Sequence, residues 1–361
     1  MKKIINIVGA RPNFMKIAPL MEAYKNSPLI EPLLLHTGQH YDYKMSELFF
    51  TELGIKEPDI YLNIGSDTQA RQVARIMMAF EDVCIEQKPD AILVAGDVNS
   101  TMACSLVAAK LGIKIIHLEA GLRSYDRTMP EEINRIVTDT LADMLLTPSS
   151  DANENLIKEG IPSDKIHLVG NIMIDTLFKF LPMANQSRIL KTLNIENDDY
   201  ILVTLHRPSN VDEKPSLKKI LETLHDISSK VHVVFPVHPR TMKNIAAFDL
   251  SSLLKGLIIT EPLGYYDFQK LMSGAQLLVT DSGGIQEETT ALKIPCITLR
   301  ENTERPVTIK KGTNELIGLD MQKLKELTDK ALNGEWKPGT VPELWDGNTA
   351  SRIVALISAV I

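Results

Sequence analysis

The stretch 276-QLLVTDSGGIQEETTAL-292 runs from an apolar segment through a glycine turn into a helical pattern. Leu277, Leu278 and Val279 form a short continuous apolar run, the pattern of a strand covered on both faces. Thr280-Asp281-Ser282-Gly283-Gly284 breaks that run, and helical spacing opens at Ile285. Strand, tight turn and helix start in succession gather backbone N–H groups and a positive helix end in one place, where an anion binds. Gly283 and Gly284 carry no Cβ to hold a phosphate off the backbone. Glu287 and Glu288 follow one turn in, where a carboxylate reaches ribose hydroxyls. The plainer reading is a turn with Ser282 as an ordinary N-cap. The rest of the chain has to decide between the two.

Working outward, the same alternation recurs. Towards the N-terminus, Ile4–Val8, Leu33–Leu35, Ala91–Val94, Lys114–His117, Met144–Thr147 and His167–Val169 read as strands. Helical spacing fills the intervals at Asn13–Tyr24, Lys44–Leu53, 71–87, Thr101–Leu111, Asn134–Ala142 and Ala152–Glu159. Near Gly170-Asn171 the pattern restarts, with strands at Tyr200–Leu205, His232–Pro236, Leu257–Thr260, Leu277–Thr280 and Cys296–Leu299 and a helix at 216–228. Strand–helix alternation of this kind predicts doubly wound parallel sheets. A chain of 361 residues is long for one core. Two Rossmann-like α/β domains are therefore expected: 1–170, joined by a last helix at 349–361, and 171–348, with the active site in the cleft between them.

Composition removes several function classes. A net charge of −7 argues against nucleic acid or an anionic membrane as the main partner. The three cysteines, Cys84, Cys104 and Cys296, are widely spaced. That suits a reducing cytoplasm and excludes a disulfide framework or a cysteine-based zinc site. No apolar run approaches the roughly 18 residues of a membrane span. MKKIINIVGARP at the start is too short in its apolar part for a secretory signal and reads as a buried first strand.

Polar residues unusual for a core fall at the strand ends: Arg11, His36, Gln39, His40, Asp97, His117, Glu119, His206, Arg207, His238, Arg240, Ser282 and Arg300. In open α/β sheets that is where ligands bind. No G-x-G-x-x-G follows a strand, so the nicotinamide fingerprint is missing; no phosphate-binding P-loop and no H-E-x-x-H metal spacing occur either. Arg11 and Lys16, about one helical turn apart, can meet a phosphate, although spacing alone favours a surface pair. His206-Arg207 and His238-Pro239-Arg240 repeat one placement, and one of the two pairs can be merely a polar cluster. Asp97 and Glu119 end successive strands, so both carboxylates can face one site for acid/base work. Glu131 and Glu132 open the next helix, where the dipole favours acids; for Glu132 that is the preferred explanation.

Taken together, Gly9-Ala10-Arg11-Pro12 with Lys16, Gly96-Asp97, His117–Arg123, Pro130–Arg135, His206-Arg207, Thr280–Glu288 and Thr303-Glu304-Arg305-Pro306 resemble the non-hydrolysing UDP-N-acetylglucosamine 2-epimerases. The resemblance covers nearly the whole chain, with the motifs in the family's order. It implies a GT-B-like pair of Rossmann-type domains, a homodimer, and interconversion of UDP-GlcNAc and UDP-ManNAc without a redox cofactor or metal. It also implies residue roles. Arg11 and His206 would contact the diphosphate, with Ser282, Gly283 and Gly284 as donors at the helix start. Glu288 would bind the ribose, and His238 and Arg305 would complete the UDP-sugar site. Asp97, Glu119 and Glu131 would be the acid/base set, with Lys16 and Arg135 holding the charge around them. Backbone in the 261–265 loop would read the uracil.

This sequence departs from the family pattern at Asn13-Phe14-Met15, Val98-Asn99-Ser100, Pro208-Ser209-Asn210 and Tyr41-Asp42-Tyr43. The last lies where some members bind a second, activating substrate molecule. Related enzymes act on other UDP-acetamido sugars or hydrolyse the intermediate, and a nucleotide-sugar sensor would lack the need for three carboxylates.

Overall fold

The structure, a computed structural model, describes residues 1–39, 54 and 57–360, with Arg11 and Pro12 described in backbone only. The helix expected at Lys44–Leu53, His40, and Tyr41-Asp42-Tyr43 lie outside the described residues.

Two parallel sheets organise the chain. The first contains β1 (Lys2–Val8), β2 (Ile30–His36), β3 (Ile60–Tyr61), β4 (Ala91–Ala95), β5 (Lys114–Leu118), β6 (Met144–Thr147) and β7 (Ile166–Leu168), in the order β3-β2-β1-β4-β5-β6-β7. The second contains β8 (Tyr200–Thr204), β9 (His232–Pro236), β10 (Ile258–Thr260), β11 (Leu277–Thr280), β12 (Cys296–Thr298) and β13 (Asn314–Leu316), in the order β10-β9-β8-β11-β12-β13. Each sheet winds outward from its first strand in both directions, which is the doubly wound α/β arrangement. The expectation of two such domains holds. The strand order reverses between β1 and β4 in one sheet and between β8 and β11 in the other.

The reasons are visible in the residues. Ile4, Ile5, Ile92, Leu93, Ile201, Leu202, Leu277 and Leu278 are all fully buried. A strand whose side chains on both faces are covered by helices has to be apolar throughout. The helix Gln69–Gln87, by contrast, buries only Gln72, Ile76, Phe80 and Cys84, an i, i+4 stripe. Cys84, Cys104 and Cys296 are buried free thiols. Among the described residues no helix is long and apolar enough to cross a membrane.

The chain divides into one compact unit of Met1–Thr176 with Glu343–Ile361, and a second of Leu177–Pro342. The division falls inside the helix Ile172–Ala184, and the return begins at Glu343. Within the first unit the last helix, Thr349–Val360, packs against Arg11–Tyr24. Asp175 accepts from the backbone N–H groups of Thr349 (3.1 Å) and Ala350 (2.7 Å), so a carboxylate fills the positive end of that helix. Trp345 Nε1 donates to Pro148 O at 2.8 Å.

Candidate functional site

In the first unit, three of the side chains expected to act collect where β1, β4 and β5 end. Lys16 comes from the helix that follows β1, Asp97 follows β4, and Glu119 follows β5. Parallel pairing sets Ala95 opposite Leu118, so Asp97 and Glu119 leave adjacent strands at nearly the same level. Lys16 Nζ donates to Glu119 Oε2, and both residues are buried. Glu119 holds φ +74°, in the left-handed region that non-glycine residues rarely adopt. Arg135 Nη1 donates to Asp97 Oδ2; the Asp97 carboxylate keeps about a third of its surface in solvent. The two carboxylates are therefore held by different cations.

Arg135 is itself buried and fixed. Its Nε and Nη2 donate to Glu132 Oε2 at 2.9 and 2.7 Å. Glu132 also accepts from the N–H groups of Ser124 and Tyr125. Burial alone would raise the Glu132 carboxyl, but the Ser124 N–H and Arg135 bonds hold it below the ordinary value. The helix-dipole explanation for Glu132 thus falls short: this side chain turns inward and braces Arg135. Glu131, one position earlier, is exposed.

Asn13 ties the loops after β1 and β4 together. Its Oδ1 accepts from the N–H groups of Gly9 (3.1 Å) and Ala10 (3.0 Å), and its Nδ2 donates to Ala95 O at 2.8 Å. Asn99 and Ser100, also departures from the family pattern, are buried in hydrogen bonds: Asn99 with Gln69, Gln72 and Asn134, and Ser100 with Gln39 and Thr37. His117 is fully buried, with Nδ1 at 2.6 Å from Asp139 and Nε2 at 2.9 Å from Gly96 O. Of Arg11 the backbone alone is described, at the first position of its helix.

The second unit repeats the geometry. His206 follows β8 and Asp281 follows β11, on either side of the order reversal. The helix after β11 starts at Gly283, two residues before the apolar spacing begins. Ser282 occupies the N-cap position, but its hydroxyl makes no capping bond. Ser282 therefore does not act as an ordinary side-chain N-cap. Arg305 lies over Gly283: its Nη1 donates to Glu304 Oε1 at 2.5 Å and its Nε is 2.9 Å from Glu287 Oε1. Arg300 Nη2 bonds the other Glu304 oxygen at 2.9 Å. Burial would raise the Glu304 carboxyl; the two arginines outweigh it and hold it far below the usual range.

Glu288 is buried, and burial pushes its carboxyl up to about 8 against a bond from Gln269, with Glu287 adding to the rise. His238 is exposed and caps the helix Pro239–Ala247, its Nδ1 accepting from Arg240 N at 3.2 Å. Arg240 pairs with Asp212. Of the two histidine–arginine sequences, this one has a local structural duty. Residues 261–264 form the loop before the helix Tyr265–Gly274.

Asp281 is the residue that sequence reading missed. It is fully buried, and it accepts from the N–H groups of His206 and Arg207, from Asn210 Nδ2 and from His206 Nδ1. The available signal was its place at the head of the Asp281-Ser282-Gly283-Gly284 turn, directly after a strand. Among the described residues no three His, Cys, Asp or Glu side chains cluster so as to hold a metal ion.

Residues 22–358 match the UDP-N-acetylglucosamine 2-epimerase family. UDP-N-acetylglucosamine 2-epimerase of Methanococcus maripaludis is 41% identical over 367 residues, covering 99% of this chain and 98% of that protein. The crystal structure of Methanocaldococcus jannaschii UDP-GlcNAc 2-epimerase in complex with UDP-GlcNAc and UDP superimposes with a TM-score of 0.88 at 41% identity, covering 99% of each chain. UDP-2,3-diacetamido-2,3-dideoxy-D-glucuronate 2-epimerase of Pseudomonas aeruginosa is 38% identical, covering 98% of each. The chain belongs to the UDP-N-acetylglucosamine 2-epimerase family.

Proposed function

We propose that this chain interconverts UDP-N-acetylglucosamine and UDP-N-acetylmannosamine by inverting carbon 2 of the sugar, without releasing free sugar. Carbon 2 bears no carbonyl to acidify its proton, so direct deprotonation is too costly. Elimination avoids that cost. A base takes the carbon 2 proton as the carbon 1–oxygen bond breaks, UDP leaves with the bond electrons, and a 2-acetamidoglucal remains. UDP then adds back at carbon 1 while a proton arrives at carbon 2 from the opposite face. No electron is gained or lost overall, so the route needs no redox cofactor.

The observation that carries the reading is the pair of carboxylates at adjacent strand ends, Asp97 and Glu119, each with its own buried cation. Two acid/base groups with different partners suit a reaction that removes a proton on one face and returns one on the other. Glu131, exposed at the start of the next helix, would complete the set. The second unit would hold the nucleotide: His206, Arg305 and the Ser282-Gly283-Gly284 helix start on the diphosphate, and Glu288 on the ribose. Charge builds on the departing diphosphate in the transition state, so fixed donors there lower the barrier most. Arg11 would add to them. The same resemblance carries a homodimer, which sedimentation of the purified protein checks.

The 38% identity to the diacetamido-glucuronate enzyme gives the second reading, a 2-epimerase for that UDP-sugar. One experiment separates the outcomes: UDP-GlcNAc with the protein in deuterated water, followed by NMR. UDP-ManNAc carrying deuterium at carbon 2 is expected. Free N-acetylmannosamine with UDP would identify a hydrolysing enzyme. Turnover confined to the diacetamido uronic acid would move the specificity, and saturable binding without turnover would leave a sensor.

A further inference from the structure

The His206 ring is held by a carboxylate that lies 75 positions later in the chain. Asp281 Oδ1 is 2.9 Å from His206 Nδ1, in a pair whose carboxylate is fully buried and whose ring is half exposed. The same carboxylate accepts from His206 N at 3.0 and 3.1 Å, Arg207 N at 2.9 Å and Asn210 Nδ2 at 3.1 Å. Asn210 is anchored in turn by Leu299 O at 3.0 Å. Burial would raise the Asp281 carboxyl, and the donors from His206, Arg207 and Asn210 together hold it below its ordinary value.

An ionised carboxylate can only accept. Nδ1 of His206 must therefore carry the hydrogen, and Nε2 is the nitrogen left for a ligand. Nε2 carries a hydrogen as well only in the imidazolium form, whose charge the buried carboxylate balances. The register makes this possible: Thr204 and Thr280 lie opposite each other on paired strands, so the residues that follow emerge side by side at the order reversal.

We propose that Asp281 is a positioning residue for His206, holding its Nδ1–H so that Nε2 faces the departing diphosphate as a cationic donor. This rests on the reading of His206 as a diphosphate contact. Asp281 does not touch the substrate. Its effect passes through the ring, by fixing tautomer and direction and by balancing the charge as the phosphate leaves. A purely structural Asp281 would tie the 206–210 and 281 loops together through the backbone bonds and leave the ring's tautomer and catalysis indifferent.

The test uses the full chain with ¹⁵N-labelled histidine. In the neutral ring of the unmodified protein, NMR should find the hydrogen of His206 on Nδ1; finding it on Nε2 overturns the proposal without any variant. Asp281→Asn keeps the shape but turns an NH₂ towards one of the donors. The hydrogen should then move to Nε2, and kcat should fall roughly a hundredfold with a much smaller change in KM. In a His206→Gln background the same substitution should cost no more than about twofold, because the two residues act as a unit. An equal loss in both backgrounds, or an unmoved tautomer, overturns the proposal while leaving the diphosphate role of His206 intact. Full turnover by His206→Gln alone overturns that role, and the proposal with it.

Discussion

Lys16 donates to the carboxylate of Glu119 in a buried ion pair that joins the helix after β1 to the end of β5. Each residue is only 7% exposed, so neither charge can fall back on water. Removing one partner of such a pair leaves the other stranded, which costs about 3–5 kcal/mol, whereas removing both costs far less. Lys16→Met is expected to lose stability of that order, and Lys16→Met with Glu119→Gln to recover most of it. Urea unfolding of the two variants checks this; a single variant within about 1 kcal/mol of the parent would contradict it.

Gly96 is what lets the pair form beside Asp97. Its φ is +68°, and a Cβ there would lie 2.9 Å from Lys16 Nζ and 3.2 Å from Glu119 Oε2. Gly96→Ala therefore meets backbone strain and crowding together. A loss of roughly 1–2 kcal/mol is expected. The methyl pushes on both ends of the ion pair, so turnover should fall by more than the stability loss explains. Calorimetry alongside initial rates separates the two effects. A variant as stable and as active as the parent would contradict the crowding argument.

How much of this was legible beforehand follows from distance along the chain. The strands that carry the site were readable because buried parallel strands are apolar throughout, as at Leu277–Thr280. The Ser282-Gly283-Gly284 turn was readable because its chemistry is local. Asp281 was not, since its partners His206, Arg207 and Asn210 belong to another loop and nothing near it in sequence signals them. Glu132 looked like a helix-start acid because Arg135, three residues on, has many possible roles; only burial shows that the two brace each other. The helix Ile172–Ala184 escaped because IMIDTLFKFLPMA is apolar nearly all round and contains Pro182. The two-residue β3 is shorter than any periodicity can resolve.

Glu288 gives stability a pH dependence with a definite sign. Burial raises its carboxyl from 4.5 to about 8. Between those values the unfolded chain has lost the proton and the folded chain keeps it. This contribution to stability is complete below about pH 4.5 and is lost as pH rises through about 8, by a few kcal/mol in all. Glu288→Gln carries no such proton. The difference in unfolding free energy between parent and variant should therefore shift in the variant's favour from pH 5 to pH 8. A constant difference over that range would show that the raised carboxyl is wrong. If the carboxylate accepts ribose hydroxyls, UDP binding by the parent should also release a proton near neutral pH, measurable by calorimetry in buffers of different ionisation heat.

The two glycines at the helix start are expected to behave differently. A Cβ on Gly283 would lie 2.7 Å from Arg305 Nη1 and 3.0 Å from Glu304 Oε1. That guanidinium is locked by Glu304 and Glu287, so it cannot simply swing aside. Gly283→Ala should displace it, costing roughly 1–3 kcal/mol of stability and weakening UDP binding with it. A Cβ on Gly284 meets nothing within 4 Å. Gly284→Ala should leave the fold as stable as before, or about 0.5–1 kcal/mol more so, since alanine suits a helix better than glycine. The open space beside Gly284 is where a phosphate would approach the backbone. A methyl there should cut UDP affinity by about tenfold or more, equivalent to about 1.4 kcal/mol. Titration calorimetry with UDP on both variants, together with thermal unfolding, reads the contrast. Unchanged UDP affinity in Gly284→Ala would move the diphosphate away from this helix start.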